Sequence, residues 1–123
     1  MKQNPDTLPP AYESVESRLL ALFYSGVYIT NTEIVEIGKE LGLDLPMKDR
    51  TALLKHLMRH AHDNGETPRM LKGFIALLKK RIAAYRELAE SFPEASDLVG
   101  EWIHKANSTI LLLQREMRSN PYE

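Results

Sequence analysis

His56, His60 and Asp63 recur at i, i+4 and i+7. On a helix that spacing sets two imidazoles and a carboxylate along one flank. Imidazoles one turn apart can share a divalent metal, and a carboxylate a turn further on adds a third ligand. The flank borders an apolar stripe of Leu53, Leu54, Leu57, Met58 and Ala61, so the three groups are expected at the water line. No glutamate stands between the histidines as the zinc-protease motif requires. A further ligand has to come from another element, with His104 or an acidic residue of the second helix as the candidates. Solvated histidines on a basic helix account for the same spacing, and no cofactor is expected.

Arg50 and His56 are separated by five residues. This Arg-x5-His pair resembles the one used by the small helical ribonucleases called HEPN domains, where dimerisation brings two such motifs together. The resemblance covers two residues plus helical class and size, and it implies hydrolysis of RNA at a site shared by two copies. The chain departs from that pattern after the arginine. Thr51 and Ala52 stand where those domains carry a polar amide or acid.

A third chemistry is polyanion binding. Lys48, Arg50, Lys55 and Arg59 fall in one segment, and a helix-turn-helix reading of the second and third helices turns them toward a phosphate backbone. The link over 42–46 is longer than the usual turn, and Lys48, Asp49 and Thr51 occupy early positions where an apolar packer is expected. Lys72, Lys79, Lys80, Arg81 and Arg86 extend the basic set, with Lys79 and Lys80 on the solvent side. Aromatic residues for stacking bases are not interleaved among them, apart from Tyr85, which the core claims. Pro9-Pro10-Ala11-Tyr12 matches the proline-proline-x-tyrosine ligand of WW domains and equally opens a helix with Tyr12 as its first core residue. Phosphate loops, serine elbows and glycine-rich dinucleotide turns are absent from the sequence. Glu33 is committed to a helix cap, while Glu36 and Glu40 read as a solvated face.

Bulk properties narrow these options. A chain of 123 residues with 43% hydrophobic and 27% charged residues reads as one soluble globular domain. There is no cysteine, which removes disulfides, thiolate metal sites and a cysteine nucleophile. Residues 1–10 carry one lysine and no apolar run, unlike a secretory leader. The most apolar stretch, 19–29, is far short of the ~20 residues that span a bilayer. No membrane partner and a cytoplasmic location are the expectations. Charge is unevenly spread: residues 1–46 hold three basic and seven acidic groups, whereas 47–90 hold ten and five. That asymmetry suits an anionic partner or acidic and basic helices complementing one another within one fold.

The elements that must position all this are helical. Leu71, Ile75, Leu78, Ile82, Tyr85 and Ala89 follow a 4-3 alternation, and Val99, Ile103, Ala106, Ile110, Leu113 and Met117 repeat it. Such alternation keeps side chains on one stripe facing another helix. The four residues 91–94 between the ladders can only reverse the chain. Helices over 68–91 and 94–118 therefore form a long antiparallel hairpin. Thr67-Pro68 supplies its N-cap and first helical residue. A second α-helical seam, Met70, Phe74, Leu77, Ala84 and Leu88, widens the face of the first rod.

Three shorter helices precede it. One runs over 11–24, apolar nearly all round after Arg18, and Gly26 ends it. A second opens at Thr30-Asn31-Thr32-Glu33, a capping box with Ile29 and Ile34 as its hydrophobic staple, and stops at Gly42 with Leu43 folding back on Ile37. A third starts near Pro46 and ends at Asn64-Gly65.

The expected architecture is all-α, a five-helix bundle with three short helices packed on a long antiparallel C-terminal helical hairpin. The single domain spans 11–118 between a mobile N-terminal tail, 1–10, and a short C-terminal one, 119–123. What the catalytic patterns leave is surface, with Trp102, Leu111, Leu112 and Phe74 beside the main ladders. The expected function is a non-enzymatic protein–protein interaction or adaptor module that self-associates or binds another protein. A nucleic-acid-binding regulator using the basic helix 46–64 ranks second. A metal-dependent or HEPN-like hydrolase ranks third.

Overall fold

The computed structural model describes residues 15–20, 29–46 and 49–119. Residues 15–20 are helical (α1). They are followed by α2 (Asn31–Glu40), α3 (Arg50–Asp63), α4 (Thr67–Ser91), a 3-10 turn (Pro93–Ala95) and α5 (Ser96–Ser119). No strand occurs among the described residues. The fold is an all-α bundle in which three short helices pack on a long antiparallel hairpin. The 25 residues of α4 make a rod of about 37 Å. That rod is the spine, since α5 lies along it and both α2 and α3 pack on it and on each other.

Helices α2 and α3 are each bounded by local chemistry. At the start of α2 the Thr30 hydroxyl accepts from Glu33 N at 3.1 Å, and Glu33 Oε1 accepts from Thr30 N at 2.8 Å. This reciprocal cap satisfies two amides that the first turn leaves without helical partners. Ile29 and Ile34 beside it are fully buried. At the far end Gly42 takes φ 77°. Leu43 N donates to Gly38 O at 2.8 Å and Gly42 N to Lys39 O at 3.0 Å, the paired bonds of a Schellman stop. The chain then turns back over Gly38 so closely that a Cβ there would stand 2.9 Å from Leu45 Cδ1.

A second Schellman stop ends α3 at Gly65, φ 65°, with Glu66 N donating to Ala61 O at 2.7 Å and Gly65 N to His62 O at 3.3 Å. Glu66 O then accepts the first helical bond of α4, from Met70 N at 3.0 Å. One residue thus closes α3 and opens α4. For this reason α4 begins one residue earlier than Thr67-Pro68 predicts. Glu66 is the N-cap without a side-chain bond, Thr67 is the first helical residue, and Pro68 is in the first turn. Helix α3 also starts later than Pro46, because Asp49 Oδ1 accepts from Ala52 N at 3.0 Å and caps it. Helix α5 begins at Ser96, since the residues after Phe92 form the 3-10 turn instead.

Two long side chains fix α2 on α4. Arg81 Nη2 donates to Glu33 Oε2 at 2.5 Å, and Arg69 Nη2 donates to Glu40 O at 2.8 Å. Because the later α2 residue meets the earlier α4 residue, the two helices run antiparallel. Between the ties, Ile37 lies against Gly73, where a Cβ would be 3.4 Å from its side-chain carbons.

The core is one cluster. Val15 and Leu19 of α1 enter it with Leu53, Leu54, Leu57, Met58 and Ala61 of α3. On the hairpin, Leu71, Ile75, Leu78, Ile82, Ala106, Ile110 and Leu113 belong to it, with Tyr85, Ile103 and Met117 half-buried against it. Val99 is buried as well. The second seam of α4 divides: Met70 and Phe74 are fully buried, whereas Leu88 is 37% exposed. The expected mobile tail 1–10, the bounds of the first helix, Gly26, the proline-proline-x-tyrosine match and residues 120–123 lie outside the described residues. No helix among the described residues is long and apolar enough to cross a membrane.

Candidate functional site

One member of the candidate metal set is already employed. His60 Nε2 lies 3.3 Å from Leu41 O, and His60 Nδ1 lies 3.3 Å from Asn64 Nδ2. The Asn64 amide also donates to His60 O at 2.8 Å. With the proton on Nε2, the ring donates to the C-cap carbonyl of α2 and accepts from Asn64, a tautomer that satisfies every contact. His60 Nε2 thus stitches α3 to the end of α2, while Nδ1 is held by the C-cap of α3 itself. His56 is half-buried and Asp63 exposed. Among the described residues no three histidine, aspartate or glutamate side chains gather as a metal set would.

Arg50 and His56 do not converge within one chain. Both are half-buried on α3, and six residues of helix set them about 9 Å apart along the axis and a third of a turn around it. Lys48 lies outside the described residues. Lys55 is exposed, and Arg59 is half-buried with Nη2 shielded from water. The basic set of α4 is partly spent inside the fold. Arg81 pairs with Glu33, and Arg69 bridges Glu66 Oε2 at 2.7 Å and the end of α2. Nine residues separate α2 from α3, too many for the tight turn of a DNA-reading helix pair.

Apolar surface remains, and the structure relocates it. Phe74 is fully buried and cannot meet a partner, because the flank of α4 that carries it is the one on which the short helices pack. Leu111 is 59% exposed. By the helical period it points away from Leu112, which is half-buried, so these neighbours do not form one patch. Leu111 stands among polar residues, and a lone exposed leucine is ordinary. Trp102 is half-buried and packs on Tyr85, ring centroids 5.4 Å apart and planes tilted by 53°.

Around that pair the closed end of the hairpin is bare. Phe92 and Leu98 are each 53% exposed, with Leu88 behind them at 37%. Leu88 continues the flank of Phe74 and Arg81, and Leu98 the flank of Trp102. The Tyr85–Trp102 contact shows that both flanks look the same way. Helix α2 occupies this face nearer the open end and stops short of it. Sequence reasoning found the seam running through Leu88 but not that its second half is uncovered. The available signal was length, since α4 has 25 residues while α2 and α3 have 10 and 14.

Comparison with models of known families, with curated proteins and with solved structures finds no match.

Proposed function

We propose that this protein is a non-enzymatic helical interaction module whose docking surface is the closed end of the hairpin. The observation that supports the reading is the exposure of Leu88 and Leu98 on one face, with exposed Phe92 at the turn between their helices and half-buried Trp102 beside them. Large apolar side chains grouped at a surface are where partners gain affinity, aromatic residues above all. The catalytic readings lack comparable support: His60 is built into the fold, and Arg50 and His56 diverge along α3. Nucleic-acid binding ranks lower because Arg81 of the basic set is drawn into an intramolecular ion pair and Arg59 Nη2 is shielded from water.

The test uses the exposed positions, where charge can be introduced without opening the core. Native purification followed by mass measurement identifies the species that co-purify, including a second copy. Phe92→Glu with Leu98→Glu should release that species while leaving thermal unfolding within a few degrees of the parent. Co-purification that survives both substitutions, or a chain that is alone and monomeric at high concentration, would remove the proposal.

A further inference from the structure

The closed end is acidic as well as apolar. Between residues 84 and 102 the chain carries Glu87, Glu90, Glu94, Asp97 and Glu101 against Arg86, and all six are exposed. By the helical period Arg86 and Glu90 lie on the opposite face of the hairpin. Glu87 and Asp97 lie about 100° around their helices from Leu88 and Leu98 and point outward from the hairpin. Glu101 stands one turn on from Leu98, and Glu94 occupies the turn itself. The bare apolar face is therefore flanked by Glu94 and Glu101 at an end of the hairpin that is acidic in sum, and Lys105, a turn beyond Trp102, is the first cation on its flank.

We infer that the occupant of this surface is a cationic amphipathic helix, an inference that rests on the interaction reading above and names the partner's chemistry. The fold already displays how a helix seats on this face. Nearer the open end, α2 lies along α4 with Ile37 against Gly73 and its Glu33 carboxylate on Arg81. There the spine is basic and the seated helix acidic. At the closed end the signs are reversed, so a helix seated in the same manner must bring apolar residues at i, i+3 and i+4 flanked by Lys or Arg. Two copies meeting closed end to closed end would instead bring two acidic ends together, with Glu94 and Glu101 of each copy at the contact, which like-charge repulsion disfavours. The chain's own residues 1–14 hold Lys2 against Asp6 and Glu13 and do not supply the missing charge.

The experiment titrates the full chain with two synthetic amphipathic helices that share one leucine face, one with lysine and the other with glutamate on its polar face. Trp102, the sole tryptophan, reports binding by its emission, and amide chemical shifts locate it. The lysine helix should bind about tenfold or more tightly than the glutamate helix, shift residues within 84–102, and weaken as salt is raised. Phe92→Ala with Leu98→Ala should cost about tenfold in affinity, as loss of central apolar anchors does. Glu94→Gln with Glu101→Gln should erase much of the preference for lysine.

Equal binding of both helices at 84–102 would overturn the cationic inference and leave the docking surface standing. So would concentration-dependent shifts at the same residues without any peptide, together with a dimer mass. Binding of the lysine helix that ignores the apolar double variant would reduce the effect to general attraction between opposite charges and overturn the inference. Absence of any shift within 84–102 would remove the inference and the docking surface together.

Discussion

Gly38→Ala and Gly100→Ala make the same chemical change inside two helices and should move stability in opposite directions. Alanine in a helix interior is favoured over glycine by about 0.8–1.0 kcal/mol, because glycine loses more backbone freedom on folding. At Gly100 a new Cβ meets nothing within 4 Å, so that gain is realised in full. At Gly38 the new carbon stands 2.9 Å from Leu45 Cδ1 and 3.3 Å from both Leu45 Cγ and Leu43 O. The leucine tip can swing, but the carbonyl belongs to the Schellman stop, where Leu43 N is held on Gly38 O at 2.8 Å. Overpacking of this kind costs about 1–3 kcal/mol, which outweighs the propensity gain and leaves a net loss of about 1 kcal/mol. For a domain of this size that is a fall of about 3–6 °C in Tm, against a similar rise for Gly100→Ala. Thermal and urea unfolding followed by circular dichroism at 222 nm measures both. If Gly38→Ala stabilises as much as Gly100→Ala, the close return of the 42–45 segment over α2 is wrong.

Phe74→Ala should lose about 3–5 kcal/mol as a core cavity, while Leu111→Ala should stay within about 0.5 kcal/mol; equal effects in urea unfolding would contradict the burial of one and exposure of the other. Thr30→Ala should cost about 1 kcal/mol through loss of the cap, and amide exchange should rise first in 31–34. Glu33→Gln keeps an acceptor for Thr30 N but removes the charge opposite Arg81; with both side chains roughly a quarter exposed, its cost should be below about 1 kcal/mol and shrink in high salt. His60→Ala should lower stability by about 1–2 kcal/mol by leaving the Leu41 carbonyl without its donor, and adding zinc should not raise the Tm of the parent chain, a result that a thermal shift series reads directly.

The fold was legible because helical bundles write themselves as period and punctuation. The 4-3 ladders carry the hairpin, and Thr30, Glu33, Gly42 and Gly65 each specify a backbone event that no other local arrangement satisfies so well. Boundaries shifted by a few residues where two signals compete for one stretch: Asp49 caps α3 in preference to a start at Pro46, and the Schellman stop at Gly65 runs straight into α4. The candidate site was less legible. Local spacing cannot show that His60 reaches Leu41, nineteen residues away, or that Arg69 and Arg81 are consumed by α2. It also cannot distinguish the buried half of an apolar seam from the half left exposed, which is why Phe74 reads like Leu88 in the chain and behaves oppositely in the fold.

Arg69 and Arg81 stand twelve residues apart on one rod and grip points seven residues apart on a shorter one. The two spans differ, so the grips work as a vernier: they come into alignment at a single offset, and sliding α2 by one turn would release both at once. Losing either grip alone loosens one end but leaves the other to mark the position. The short helix is thereby located along the spine by geometry that greasy contacts, which tolerate sliding, do not provide.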